Sequence, residues 1–147
     1  KVERVAADDL LRDAESDLFG VSQGGETELV FEPDAEGSFV EVDRQELRRV
    51  FLNLVQNSIA ACDGGGRIEL TSFADESDVV FRITDDGPGI SPDLEGKLFD
   101  PYFTTRSSGT GLGLAICRRI MQAHKGAITL EASQPGLTTF RLTLPRT

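Results

Sequence analysis

Three glycines alternate in the run Gly109-Thr110-Gly111-Leu112-Gly113-Leu114, where a segment of helical periodicity begins. Glycine lets backbone N–H groups approach a ligand closely and adopt positive φ. A helix N-terminus adds partial positive charge, so this run suits a phosphate. Three spaced glycines also make an ordinary loop. No Gly-Lys-Ser/Thr follows them, so this is not a Walker A loop. The run follows a long loop near the C-terminus rather than the first strand of a βαβ unit, which makes it a poor dinucleotide fingerprint.

Three further clusters could carry chemistry. Asp85-Asp86-Gly87-Pro88-Gly89-Ile90 closes an apolar run. A carboxylate at a strand end can accept a hydrogen bond from an exocyclic amine, and glycines beside it leave room for a flat base. The same residues also spell a plain turn. Asn53 and Asn57 lie four apart, on one face of a mostly apolar helical segment. An amide oxygen there suits Mg²⁺ beside phosphate oxygens. Two core-edge asparagines bonded to backbone would look the same. The fourth cluster is Leu98-Phe99-Asp100-Pro101-Tyr102-Phe103-Thr104-Thr105-Arg106. Its aromatics are expected to pack on something when the loop closes, which would let Arg106 reach a terminal phosphate.

Composition narrows the field. The net charge of −10 argues against a general nucleic-acid binder, which needs a basic footprint. It also means that a polyanion must be met by backbone N–H groups, a metal ion and a few placed cations. With 147 residues the chain fits one domain, 1–147, around one core. No apolar run approaches the roughly 20 residues of a membrane helix, and no signal core follows Lys1-Val2-Glu3-Arg4. The expectation is a cytoplasmic domain, whether or not its parent is anchored in the inner membrane. Cys62 and Cys117 form no CxxC pair and read as buried free thiols. His124 is the sole histidine and cannot build a metal site alone.

These residues need elements to hold them. Residues 4–19 read as a helix, ended by Gly20 and the Gly24-Gly25 pair. Glu28–Glu32 and 38–42 read as a hairpin around Pro33-Asp34-Ala35-Glu36-Gly37. Asp43 is a candidate N-cap with Glu46 three residues on. From it runs a helical stripe of Leu47, Val50, Phe51, Leu54, Val55, Ser58, Ile59 and Cys62. Strands follow at 67–73 and 79–84. A long glycine- and proline-rich loop from 86 to 110 has the length of a lid, with one helical turn at 93–98. A helix at 111–124 and an antiparallel strand pair, 127–132 with 138–144, close the chain. Strand pairs interrupted by single helices predict an α+β two-layer sandwich with the helices on one face.

The four clusters, in this order, resemble the N, G1, F and G2 boxes of the Bergerat-fold ATP-binding superfamily. That group includes histidine kinases, type II topoisomerases, Hsp90 chaperones and mismatch-repair ATPases. The N box is matched by Asn53-Leu54-Val55-Gln56-Asn57-Ser58-Ile59-Ala60-Ala61, and the other clusters match G1, F and G2 as quoted. The F box, and the tail Gly136-Leu137-Thr138-Thr139-Phe140-Arg141-Leu142-Thr143-Leu144-Pro145, look like those of a sensor histidine kinase. The resemblance implies a mixed, mostly antiparallel sheet, about three helices on one face and a long ATP lid. Its cofactors would be ATP and Mg²⁺. Asn57 would hold the metal, with Asn53 a neighbouring polar contact. Asp85 would bond the adenine amine, and Gly87, Gly89 and Ile90 would shape the base pocket. Thr139 would support the adenine end. Phe99, Phe103, Thr104 and Thr105 would belong to the lid. Gly109, Thr110, Gly111, Leu112, Gly113 and Leu114 would line the triphosphate, and Arg106 would meet the γ-phosphate.

Hydrolysing relatives carry a glutamate, the general base for water, where this chain has Asn53. An asparagine cannot accept a proton at neutral pH, so the resemblance implies transfer to another nucleophile. That nucleophile is a histidine on a separate dimerisation hairpin, from which the phosphoryl group passes to a response-regulator aspartate. Nothing in this sequence resembles the hairpin, and the family often has a histidine at the position of His124 as part of a helix C-terminus. A monomer is therefore expected. Two departures stand out. Ala60 replaces a frequent Lys or Arg, as in the nitrogen-regulation-like branch, and Ser58 stands where Ala is usual. A serine kinase acting on an anti-sigma-factor partner, or a nucleotide-gated binding module without activity, are the competing readings. Asn53 disfavours the first; intact Asn57, Asp85 and the glycine run disfavour the second.

Overall fold

The computed structural model describes residues 1–20, 26–63, 65–103 and 113–147. Five strands form one sheet in the order β2-β4-β5-β7-β6: β2 (Glu28–Glu32), β4 (Arg67–Ala74), β5 (Asp78–Asp85), β6 (Ala127–Gln134) and β7 (Leu137–Pro145). Only β2 and β4 run parallel; the other neighbours are antiparallel. Helices among the described residues include α1 (Ala7–Asp17), α2 (Arg44–Ala61), the short α3 (Pro92–Glu95) and α4 (Gly113–Ala123). The long helices α1, α2 and α4 share one apolar core with the sheet, as the α+β sandwich reading expects.

Strand alternation explains the layers. Leu70, Ile83 and Phe140 lie side by side across three strands, and so do Phe81 and Leu142; all are buried. Phe51 of α2 meets Phe81 edge-on, with ring centroids 5.3 Å apart. The opposite face carries Arg82, Glu131 and Arg141, joined by ion pairs. The predicted stripe of α2 is the buried face from Leu47 to Ser58. Its start is the predicted cap: the Asp43 carboxylate accepts the N–H groups of Gln45 and Glu46.

Two expectations fail. The chain does not begin as a helix. Residues Glu3–Ala6 form a strand, β1, paired antiparallel with β3 (Phe39–Val42) in a separate two-stranded sheet. Val5 faces Val40 there and both are buried, so the first residues gain more from alternation than from a helical turn. Nor do 28–32 and 38–42 form a hairpin. The segment between them is tied elsewhere: the Ala35 N–H donates to the buried Asp8 carboxylate and the Asp34 N–H to Ser72 Oγ. β3 then continues into α2, which returns the chain to β4 alongside β2 in parallel.

Candidate functional site

β5 ends at Asp85, and its register places Asp85 beside Thr138 of β7 on the helix-facing side. Both are buried, Asp85 to 3% exposure. Together with Ser58 of α2 they line one side of a cavity of about 330 Å³, within the usual size range of small-ligand sites. Ile90, Leu94, Leu98, Phe103, Leu114 and Phe140 give it apolar walls. Asn57 lines the end near the start of α4, where a Cβ on Gly113 would lie 4.0 Å from the Asn57 amide nitrogen.

The turn after Asp85 is clamped. The Gly87 N–H donates to Asp85 Oδ1 at 2.9 Å, and the Gly87 carbonyl accepts the Gly136 N–H at 2.8 Å. The Ile90 N–H donates to Ser133 Oγ, which donates back to the Ile90 carbonyl. Gly89 has φ of +81°, and a Cβ on it would stand 2.6 Å from the Gln134 carbonyl oxygen. Only glycine fits there. The loop is thus held against the β6–β7 turn, and Asp85 sits at a fixed place.

Burial pushes the Asp85 carboxyl above its ordinary value, with the Gly87 N–H and the Ser58 hydroxyl pulling the other way and the Asp86 charge adding to the rise. The Ser58 hydroxyl is itself buried with no well-formed hydrogen bond. Burial, with Asp85 and Asp86 beside it, also pushes the Cys62 thiol up to about 11. The Cys117 thiol, fully buried, rises to about 12. Neither thiol is an ionised nucleophile at neutral pH. Cys62 is only half-buried, less than the sequence led us to expect.

Of the residues singled out from sequence, the cavity is lined by Asn57, Asp85, Gly89, Ile90, Phe103 and Leu114. Gly87 and Gly113 sit directly behind it, and Phe99 packs edge-on against Phe140 at 6.3 Å. Asn53 is not a lining residue, and the nearby Cys117 thiol of α4 donates to the Val50 carbonyl at 3.7 Å. Thr139 is also displaced. Strand alternation puts it on the far face of the sheet, its hydroxyl 2.9 Å from that of Thr84, and gives the cavity to Thr138 instead. Thr104, Thr105, Arg106, Gly109, Thr110, Gly111 and Leu112 lie outside the described residues. Sequence reasoning passed over Ser133 and Gln134, whose only signal is their place before the Gly136 turn.

His124 is structural, as expected for a residue at a helix C-terminus. The Asp43 N–H donates to Nε2 at 3.1 Å, and Nδ1 lies 2.7 Å from the Ile120 carbonyl. An N–H can only donate and a carbonyl can only accept. Nε2 therefore accepts and Nδ1 donates, and the ring joins the end of α4 to the cap of α2.

Residues 42–147 match the family described as histidine kinase-, DNA gyrase B-, and HSP90-like ATPase. The chain belongs to this family. Among relatives of this ATPase domain, the signal transduction histidine-protein kinase AtoS of Escherichia coli is 42% identical over 120 residues, which is 80% of this chain and 20% of AtoS. The sensory histidine kinase/phosphatase NtrB of Rhodobacter capsulatus is 39% identical, over 70% of this chain and 32% of NtrB. The chain thus spans about a fifth to a third of the length of these relatives. The solved catalytic domain of histidine kinase ThkA superposes with a TM-score of 0.87 at 34% identity, covering 99% of this chain and 97% of that one. A further ThkA structure, in complex with the response regulator TrrA, matches with a TM-score of 0.84 at 33% identity over 99% of this chain and 42% of that one. Asp85 and Gly89 line the cavity, and Gly87 holds the Asp85 carboxylate, all within the span of the family match. Among the described residues no helix is long and apolar enough to cross a membrane.

Proposed function

We propose that this domain binds Mg-ATP and presents its γ-phosphate to a histidine on a separate dimerisation hairpin of the parent protein, for later transfer to a response-regulator aspartate. The observation that carries it is Asp85: a buried carboxylate in a glycine-shaped cavity. It is the only acid lining that cavity among the described residues, and it stands at the base end. Among the described residues no carboxylate is therefore offered to deprotonate water, and the Asn53 amide cannot accept a proton at neutral pH. The γ-phosphoryl group would pass to an imidazole nitrogen, with ADP as leaving group.

The donor set fits the expected groups. Asn57 sits beside the N-terminus of α4, and its amide oxygen is a suitable hard ligand for Mg²⁺. When bound, the metal would neutralise charge on the phosphate oxygens. Gly109, Thr110, Gly111 and Leu112, with Gly113 and Leu114, would wrap the triphosphate. Thr104 and Thr105 would precede Arg106, the cation for the γ-phosphate. His124 is engaged at both ring nitrogens and would not be the acceptor. That the relatives AtoS and NtrB are histidine kinases favours this reading over a serine kinase. Ala60 and the likeness to NtrB favour the nitrogen-regulation-like branch. The domain would work as a monomer on the cytoplasmic side of a parent that is either soluble or anchored in the inner membrane.

The test is calorimetric titration with ATP, with and without Mg²⁺, followed by γ-labelled ATP with the parent's hairpin segment supplied separately. Binding that needs Mg²⁺ and label that appears only on the hairpin are expected. Label accumulating on the isolated domain, or ATP binding indifferent to Mg²⁺, would overturn the proposal.

A further inference from the structure

Ser58 is the one polar side chain in the buried stripe of α2. It is 2% exposed, and its hydroxyl makes no well-formed hydrogen bond in the protein. Alanine would fill this helix position with better propensity and leave no buried hydroxyl unsatisfied. The fold alone gives no reason for the oxygen. Its location gives one: Ser58 and Asp85 line the same cavity, with the hydroxyl on the carboxylate's side. A buried polar group left unpaired beside a binding cavity points to a partner that is completed on binding.

We propose that Ser58 is a specificity-determining residue for the base: when the base binds, its hydroxyl completes a hydrogen bond to the neighbouring Asp85 carboxylate and fixes the lone pair that accepts the exocyclic amine. The inference rests on reading Asp85 as the base anchor. The Gly87 N–H already holds Oδ1 at 2.9 Å. A second donor, from the helix side, stops the carboxylate rotating about its Cβ–Cγ bond. A fixed carboxylate rewards an amine and penalises a keto oxygen, whose lone pairs would face its own. Without the hydroxyl, one backbone N–H holds the group, and a base without an amine is less strongly disfavoured.

The test uses three nucleotides with Mg²⁺ that differ only at the base position read by Asp85: ATP with an amine, inosine triphosphate with a keto oxygen, and purine riboside triphosphate with hydrogen. Dissociation constants are measured by calorimetry for the parent domain, Ser58→Ala, Ser58→Thr and Asp85→Asn, after thermal melts confirm folding. The parent is expected to prefer ATP over both analogues. Ser58→Ala is expected to cut that preference about tenfold, the size of one charge-assisted hydrogen bond, with little change for purine riboside triphosphate. Ser58→Thr restores the hydroxyl and with it the preference. If threonine is too large to fold, Ser58→Cys, a near-isosteric weak donor, is expected to fall between serine and alanine. Equal weakening of all three nucleotides by Ser58→Ala, or no change in any, would overturn the role of Ser58. Failure of the underlying reading looks different: Asp85→Asn would then leave all three affinities as in the parent.

Discussion

Asp85→Asn separates what the carboxylate does for the ligand from what it costs the fold. Asparagine has the same shape, and its Oδ1 can keep the Gly87 N–H now held at 2.9 Å. Its Nδ2 would then face the cavity, donor against donor where a base amine would lie. A hydrogen bond to a charged acceptor contributes about 1.5–3 kcal/mol, and leaving the buried partner unpaired costs a similar amount. A loss of about 3 kcal/mol corresponds to roughly 100-fold weaker ATP binding. The effect on the empty domain has the opposite sign. Burial raises the Asp85 pKa in the folded state, so the folded chain resists ionisation more than the unfolded one. The cost is absent below the unfolded pKa and fully present above the folded one; stability falls as pH rises between them. At neutral pH the Asn variant should therefore melt no lower than the parent, and its urea midpoint should equal or exceed the parent's. Calorimetric titration with ATP and urea unfolding without ligand, on the same preparations, check both halves. An Asn variant that bound ATP as tightly as the parent would refute the base-anchor assignment. One that lost stability and binding together would refute the division of roles.

Three other perturbations test the supports of the site. Gly89→Ala forces a Cβ to within 2.6 Å of the Gln134 carbonyl at φ of +81°; a loss of about 2 kcal/mol or more in urea unfolding is expected, together with weaker nucleotide binding. His124→Ala removes the acceptor for the Asp43 N–H and the donor to Ile120, which should lower stability by about 1–2 kcal/mol while leaving the ATP dissociation constant within a few-fold of the parent's. Acid should act through Asp17, Asp75 and Glu131, all held below the ordinary carboxylate range, respectively by Arg48, the Asp78 and Ser77 N–H groups, and Arg82. Depressed carboxylates contribute stability above their unfolded values and lose it as pH falls through their folded ones. Melting temperature should then drop below about pH 4, and a flat profile there would contradict these contacts.

What the sequence made legible was local. Asp43 and the stripe from Leu47 to Ser58 were readable because a cap and a 3.6-residue period lie within one element. Asp85 was readable because it ends an apolar run just before glycines. The failures were all non-local. Val5 forms a strand because of Val40, 35 residues on. The expected hairpin at 28–42 yields to Asp8 and Ser72, which hold the intervening chain. Thr139 and Thr138 differ by one position, and in a strand one position decides the face. The pairing with β5 fixes that parity, and β5 lies some 50 residues earlier in the chain.

The same non-local contacts explain why the base end of the site is built to be rigid. Asp85 terminates an inner strand of the sheet, and the turn that follows it is bonded to Ser133 and Gly136 at the far end of the β6–β7 hairpin. Ordering such a turn on binding would consume part of the interaction energy; a turn already clamped leaves that energy to the ligand. Gly89 permits this clamp, because any side chain there would push the turn off Gln134. Gly87 and Gly89 thus do more than leave room for a flat base. They let the turn close on its neighbour strand, and that closure gives Asp85 the fixed place that the proposed discrimination between an amine and a keto oxygen requires.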